Sequence, residues 1–245
     1  MPKPPPVADL PSPAPPREGM PEDGIYEEIH RAIARQDLLP GTRLREGELG
    51  GLFGASRARI RNVLVRLAYA GVVTLEPNRG ASVRRPSPKD AADNFVARRA
   101  IEEAIVRLVA GRLGKADRRR LEANIEAERR ARQAGDAKGV LWLSGEFHTL
   151  LAEIAGNAIL AGILRDLVTR EALVIATYER PGKPCCSHEE HAGILAALAA
   201  GDPDPAVRLM LEHLGAVEDR LHVAEPVPEP DLGRIFAGMA GARSR

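Results

Sequence analysis

The stretch from residue 56 to 83 joins the pattern of an amphipathic helix directly to the pattern of a β-hairpin, and this order constrains the fold strongly. The apolar positions of the helix follow the spacing i, i+3, i+4, i+7 of one helix face, and they are Ile60, Val63, Leu64 and Leu67. Ser56 stands where a side-chain cap is favoured, and Gly71 ends the pattern. The segments VVTL and ASVR then flank EPNRG, which predicts two short strands around a turn.

Two further helices are predicted before this unit. The first has an apolar stripe that the sequence LLPG ends, and its stripe residues are Ile25, Ile29, Ile33 and Leu38. The second is short and is closed by Gly54, and its apolar residues are Leu49, Leu52 and Phe53. Three helices and a hairpin in this order predict a winged helix-turn-helix over residues 22–85.

Charge is distributed unevenly along the 245 residues. Between residues 25 and 85 there are eleven arginines, no lysine and six acidic residues, a balance of +5. The whole chain carries +1, so the remainder carries −4. A basic module beside an acidic one is typical of a DNA-binding domain joined to a domain with another role.

The arginines of the third helix suit DNA recognition. Arg57 and Arg61 are four residues apart, so they share one exposed face near the N-terminus, where a guanidinium can bond guanine in a major groove. Ser56 and the first free amides can bind a phosphate, and Arg79 at the hairpin tip suits a minor groove or a phosphate. The alternatives are a merely solvated surface helix and a protein-interaction module. The predicted DNA-binding residues are Arg43, Arg45, Ser56, Arg57, Arg59, Arg61, Asn78, Arg79 and Gly80.

The sequence LLPGTRLREGELGGLFGASRARIRNVLVRLAYAGVVTLEPNRGASV resembles the DNA-binding domain of GntR-type bacterial transcription regulators. The shared features are a Pro-Gly turn, a Leu…Glu…Leu second helix, Ser-Arg…Arg and a Pro-Asn-Arg-Gly wing. The chain departs from the family at Ala58, Arg59 and Asn62, where Thr-Pro and Glu are frequent. These departures affect the operator sequence rather than the class of activity.

Residues 87–223 are predicted to form an all-α antiparallel helical bundle, so the fold class is mainly α. Its six predicted helices are 88–113, 116–134, 136–155, 157–179, 187–200 and 203–223. Residues 1–21 are rich in proline and are predicted to be a disordered arm, and residues 224–245 a flexible tail.

Three histidines of this region keep phase with apolar neighbours and are predicted to point inward: His148, His191 and His213. A single buried histidine is usually a hydrogen-bonded core residue. Three from separate helices could instead converge on one divalent transition metal such as zinc, because neutral imidazole is a common ligand of such ions. The spacing leaves both interpretations open.

The segments RRAIEEAIVRLVAG, EFHTLLAEIAGN and EEHAGILAALAAGDPDPAVRLMLEHL resemble the FCD effector domain of the FadR subfamily. The resemblance implies an R-x-x-x-E motif at Arg98 and Glu102, and metal-ligand positions at the three histidines. The fourth position, usually Asp, is Ser144 here, a poor metal ligand. A site completed by water or a carboxylate effector, and a metal-free pocket, both remain open. The implied effector-binding residues are Arg98, Ser144, His148, His191 and His213.

Four glutamates and two cysteines of the bundle region are predicted to have structural roles. Solvated helix faces or local ion pairs are expected at Glu102, Glu103, Glu126 and Glu128. The adjacent cysteines, Cys185 and Cys186, form no disulfide framework and are interpreted as part of a structural loop rather than a thiol sensor.

Taken together, these features predict a transcription regulator that is controlled by a small effector, and the resemblance to the GntR family implies a repressor, the commoner mode in that family. A homodimer reading a palindromic double-stranded DNA operator is expected, because a single head makes few base contacts. The effector is expected to be a carboxylate or sugar acid, and the protein to be cytoplasmic without a membrane partner, since no apolar run suits a membrane span. The rival is a metal-dependent enzyme in which an open metal position activates water.

Overall fold

The computed structural model describes residues 19–76, 80–179 and 188–221. The described strands are β1 Arg43–Leu44, β2 Val73–Glu76 and β3 Gly80–Val83. The described helices are α1 Glu22–Ala34, α2 Glu46–Phe53, α3 Arg57–Tyr69, α4 Pro88–Val109, α5 Lys115–Gln133, α6 Ala137–Ile154, α7 Ala158–Tyr178, α8 His188–Ala200 and α9 Pro203–Arg220. The predicted class, a winged helix-turn-helix followed by an all-α bundle, is confirmed.

In the N-terminal unit, α1 and α3 pack together beside a small antiparallel sheet of order β1-β3-β2. Helix α3 begins where the chain predicts, because the Ser56 hydroxyl oxygen accepts a hydrogen bond of 3.3 Å from the Arg59 amide. The hairpin of β2 and β3 pairs Val73 with Val83 and forms the wing. Fully buried side chains from α1 and α3 form the core, and they include Ile25, Ile33, Ile60 and Leu67.

The bundle begins at a capping box. The Ser87 hydroxyl accepts a hydrogen bond from the Asp90 amide, and the Asp90 carboxylate accepts one from the Ser87 amide, so α4 has a fixed start. Helix α5 packs against α6, α6 against α7 and α8 against α9, while α4 packs against α7 and α9. The interior is mainly aliphatic and includes Leu151, Leu164, Met210 and Leu214 beside Phe147. Within the described ranges, none of the helices combines the length and apolar character needed to span a membrane.

Helix α7 belongs to both units. Leu173 is buried in the core of the N-terminal unit. The Gln36 side-chain amide donates a hydrogen bond of 2.9 Å to the Ala172 carbonyl, and Arg170 Nε donates one of 2.8 Å to the Ala70 carbonyl. Arg170 also packs over Gly71, where the backbone has φ +76° and an added Cβ would lie 2.7 Å from the guanidinium. This turn of α7 therefore bonds to the C-terminal end of α3 and to the segment that follows α1.

Candidate metal centre and DNA-contacting face

Three histidines from three helices meet inside the bundle. His148 lies on α6, His191 on α8 and His213 on α9, and each is at most 2% exposed. Each ring offers one nitrogen atom, and these three atoms lie within 4.8 Å of one another. Because a Zn–N bond is about 2.1 Å long, one ion between them is within reach of all three after small ring rotations.

Each histidine is braced by a carboxylate through its Nδ1 atom. The distances from Nδ1 to the glutamate oxygen are 2.5 Å for His148 with Glu102, 2.8 Å for His191 with Glu128, and 2.7 Å for His213 with Glu190. A carboxylate that accepts Nδ1–H fixes the tautomer in which Nε2 carries a free lone pair. Three such carboxylate–histidine pairs are the arrangement that supports metal ligation by Nε2.

The Nε2 atoms of His191 and His213 are buried, and within the described part of the chain neither has a hydrogen-bond partner. A buried polar atom without a partner costs about 1–3 kcal/mol. Two such atoms in adjacent rings, whose centroids are 4.7 Å apart, are explained by an occupant that accepts their lone pairs. A divalent transition metal has this property, so the residues fit the metal that the sequence predicts.

Burial also keeps two of the imidazoles in the form that binds a metal. Desolvation, assisted by the nearby Arg98 guanidinium, lowers the pKa of His148 well below its usual value. Desolvation likewise lowers the pKa of His213, against the opposing hydrogen bond to Glu190. Both rings are therefore neutral at neutral pH, and a neutral ring does not have to release a proton before it binds a metal ion.

Ser144 is buried, at 3% exposure, one turn before His148 on α6. A neutral hydroxyl here leaves the histidine site with one negative charge fewer than an aspartate would provide.

Arg98 lies next to the site but is already paired. Its Nε donates a hydrogen bond of 2.6 Å to Glu102, and one of its terminal nitrogens donates to Glu171 on α7. All three side chains are buried. An effector carboxylate would compete with these two glutamates for the guanidinium.

Two of the glutamates that were expected on solvated faces or in local ion pairs are buried, so a solvated face is wrong for both, although Glu102 does form a local ion pair with Arg98. Glu102 is 1% and Glu128 is 0% exposed, and each braces a histidine. Glu103 and Glu126 are exposed and pair with arginines, as expected. The missed signal was helical phase: Glu128 is seven residues after the fully buried Leu121 on the same face of α5.

The predicted DNA-contacting arginines lie on the surface of the N-terminal unit. Arg57 and Arg61 are exposed on α3, and Arg61 forms a bidentate ion pair with Glu46 of α2 at 2.8 and 2.9 Å. This hydrogen bonding lowers the pKa of Glu46. Arg45 pairs with Glu48 at 2.7 Å. Two cations of this face are therefore paired with carboxylates of α2.

Other members of the predicted set have different positions. Arg59 donates a hydrogen bond of 2.6 Å to the Met20 carbonyl, so it fastens the chain that precedes α1. Arg43 is exposed on β1 opposite Ser82. Gly80 begins β3 with φ +86°, a left-handed conformation that glycine adopts without strain. The remaining wing residues, Asn78 and Arg79, lie outside the described residues, as do Cys185 and Cys186.

A winged helix with arginines exposed on its third helix, joined to a helical domain with a buried three-histidine cluster, is typical of a ligand-responsive transcription regulator. Two family profiles agree with this class. Residues 21–83 match the bacterial regulatory proteins of the gntR family, and residues 93–216 match the FCD domain. The chain belongs to the GntR family of transcription regulators and carries an FCD effector domain. Regulators of this family bind operator DNA and effectors and usually act as dimers.

Named relatives and solved structures are consistent with the family. The transcriptional repressor RspR of Escherichia coli strain K12 is 28% identical over 196 residues, which cover 80% of this chain and 86% of RspR. A probable D-xylose utilization operon repressor of Paenarthrobacter nicotinovorans is 27% identical over 78% of this chain and 84% of its own length. The predicted function, DNA-binding transcription regulation, is confirmed at the level of the family, and the enzyme alternative finds no support in these comparisons.

Two solved structures share the fold. McbR/YncC of E. coli has a TM-score of 0.72 at 20% identity, with 79% of this chain and 93% of that chain covered. A GntR regulator of Rhodococcus sp. RHA1 has a TM-score of 0.69 at 24% identity, with 81% and 96% covered. The likeness extends over both units of the chain.

Proposed function

We propose that this regulator binds its operator with an affinity set by a small carboxylate effector, and that the effector is held on a divalent metal by His148, His191 and His213. The observation that carries the proposal is the set of three Nδ1–carboxylate pairs around rings whose ligand atoms lie within 4.8 Å of one another, with the buried Nε2 atoms of His191 and His213 lacking a hydrogen-bond partner among the described residues. A purely structural histidine needs a partner for each ring nitrogen, whereas a metal ligand leaves one for the ion.

The metal would supply an electrophilic centre with open coordination positions. Three neutral nitrogen donors suit zinc or a similar transition metal, and they leave at least one position of a tetrahedral ion for another ligand. Because Ser144 replaces the usual aspartate, a carboxylate approaching the ion meets one negative charge fewer. The name of the P. nicotinovorans relative refers to D-xylose utilization, which supports including sugar acids among the effectors tested.

For DNA we propose a palindromic operator bound by a homodimer, with α3 in the major groove and the wing beside it. Support comes from the exposure of Arg57 and Arg61 on α3 and from the +5 balance of this part of the chain. The proposed contacts are those of the set Arg43, Arg45, Ser56, Arg57, Arg59, Arg61, Asn78, Arg79 and Gly80. We assign DNA binding to residues 22–85 and effector binding to residues 87–223. We propose that the protein acts in the cytoplasm, where bacterial operator DNA lies.

The test is operator binding by the full chain under three conditions. Fluorescence anisotropy with DNA from upstream of its own gene is measured for chelated protein, for zinc-loaded protein, and for zinc-loaded protein with a panel of carboxylates and sugar acids. We expect sequence-specific binding that zinc and one acid class change by about fivefold or more, a typical allosteric coupling. Affinity that is the same in every condition would contradict control through this site.

A further inference from the structure

We propose that Arg98 and Glu171 couple the histidine site to the DNA-binding unit, because they join the glutamate that braces His148 to the turn of α7 that bonds to the C-terminal end of α3. The inference rests on the proposed function, since it assigns the route by which occupancy of that site reaches the DNA-binding unit. It gives Arg98 the role of a positioning residue instead of an effector anchor.

The first part of the route lies inside the bundle. Glu102 uses one carboxylate oxygen for His148 Nδ1, at 2.5 Å, and the other for Arg98 Nε, at 2.6 Å. A single buried carboxylate is therefore shared between a histidine and an arginine. Any change in the strength of the hydrogen bond to His148 therefore changes the negative charge that the Glu102 carboxylate offers to Arg98.

The second part crosses from α4 to α7. The Arg98 guanidinium contacts Glu171, and one turn earlier Asn94 Nδ2 donates a hydrogen bond of 3.3 Å to the Leu167 carbonyl. Arg98 and Asn94 are both buried, at 1% and 5% exposure. Two contacts one helical turn apart thus set the position of α7 against α4. The contact made by Arg98 is the one that also reaches the histidine site.

The third part connects α7 to the DNA-binding unit. Residues on either side of Glu171 in the chain turn away from the bundle and bond to that unit, Arg170 with the Ala70 carbonyl and Ala172 with the Gln36 side chain. Ala70 is the residue at the C-terminal cap of α3. A displacement of Glu171 is therefore transmitted within one residue to the end of the proposed recognition helix.

The charges indicate how site occupancy would act. Arg98 carries one positive charge between the two negative charges of Glu102 and Glu171. A cation on Nε2 of His148 makes its Nδ1–H a stronger donor, which draws Glu102 toward the histidine. Arg98 then bonds more strongly to Glu171, which strengthens the contact between α4 and α7. The Arg98 guanidinium is therefore expected to bond more strongly to Glu171 when a cation is bound, and more strongly to Glu102 when none is bound.

The experiment compares operator affinity of zinc-loaded and chelated protein in matched variants of the full chain. Glu171→Gln keeps a hydrogen-bonding side chain of the same size and removes the charge that attracts Arg98. The control is Glu27→Gln, which breaks an exposed ion pair of 2.8 Å between Arg165 of α7 and the DNA-binding unit without touching the buried route. Zinc content and thermal unfolding are recorded for each protein.

We expect the wild type and Glu27→Gln to show the same zinc effect on affinity, about fivefold or more. Glu171→Gln should bind one zinc per chain, yet its zinc effect should fall below about twofold. If Glu171→Gln binds zinc and keeps the wild-type effect, the route is wrong. If the wild type itself shows no zinc effect, the proposed control by metal fails first, and this result is distinguishable because it appears without any substitution.

A second variant tests the far end of the route without disturbing the buried charges. Gln36 has φ +57°, a conformation that asparagine also tolerates, but the shorter side chain of Gln36→Asn cannot reach the Ala172 carbonyl. A reduced zinc effect with full zinc binding supports the proposal. An unchanged zinc effect in Gln36→Asn overturns it, including the case in which Glu171→Gln fails to fold.

Discussion

His191 Nδ1 lies 2.8 Å from Glu128 Oε2, and both side chains are completely buried. The other oxygen of this carboxylate, Oε1, has no hydrogen-bond partner in the parts of the chain that the structure describes. A carboxylate is expensive to bury, and here its hydrogen bonding is given to one imidazole. The pair is therefore best understood as a device that orients His191 for a ligand on its Nε2 atom.

Replacing Glu128 by glutamine should weaken zinc binding by about 10–100-fold, because the loss of a brace of this kind reduces the basicity and order of the ligand. Competition with a chromophoric chelator measures the affinity. Glu126→Gln is the matched control, since Glu126 is exposed on the same helix and pairs with Arg129. Equal zinc affinities for the two variants would show that Glu128 does not support a metal ligand.

Ser144→Asp should tighten zinc binding and weaken the binding of an acidic effector. The substitution adds a carboxylate one turn before His148, which attracts the cation and repels an anion that approaches it. Isothermal titration calorimetry of both ligands checks the two opposite signs. Ser144→Asn, which is similar in size and uncharged, is the control. A carboxylate effector that binds Ser144→Asp more tightly would contradict the placement of Ser144 beside the site.

Arg57→Ala and Arg61→Ala should each cost about 1–3 kcal/mol on the cognate operator and relax base preference. Both side chains are exposed on α3, and Arg61 must exchange Glu46 for DNA. Arg66→Ala is a control on the same helix, where the arginine pairs with Asp23 near the other end. Anisotropy on cognate and random DNA separates the outcomes: equal losses on both would mean that Arg57 and Arg61 contact only phosphates.

Arg79→Ala should weaken operator binding and reduce its dependence on salt. The prediction comes from the sequence, which places Arg79 at the tip of the wing between β2 and β3. One lost phosphate contact lowers the log–log salt slope by about 0.9. Titrations at several salt concentrations measure this slope. A variant with the wild-type slope and affinity would remove the wing tip from the interface.

Local sequence patterns were sufficient for most of the fold. Helix α8 occupies 188–200, where glycine punctuation and apolar phase predicted 187–200. The ends were less predictable. The first apolar stripe extends to Leu38, but α1 ends at Ala34. The helix stops because Gln36 adopts a left-handed conformation, which is not expected for a glutamine. Periodicity thus located each helix, and tertiary contacts decided where it stops.

Partnerships between distant elements were beyond the sequence. The inward phase of the histidines follows from their apolar neighbours, but nothing in the spacing matches Glu128 with His191, 63 residues later. The contact between α7 and the DNA-binding unit could not be predicted either, since Leu173 is equally apolar whether it packs in the bundle or in the DNA-binding unit. Such pairings are set by how helices pack in three dimensions, which a single sequence does not record.

The central claim is that one divalent ion is held by the three histidines of each chain. Isothermal titration of chelated full-length protein with zinc at neutral pH tests it most directly. We expect one zinc per chain in the wild type and loss of that binding in His191→Ala, with cooperative thermal unfolding retained. Wild-type protein that takes up no zinc, or a His191→Ala variant that binds zinc with unchanged affinity, would contradict the claim.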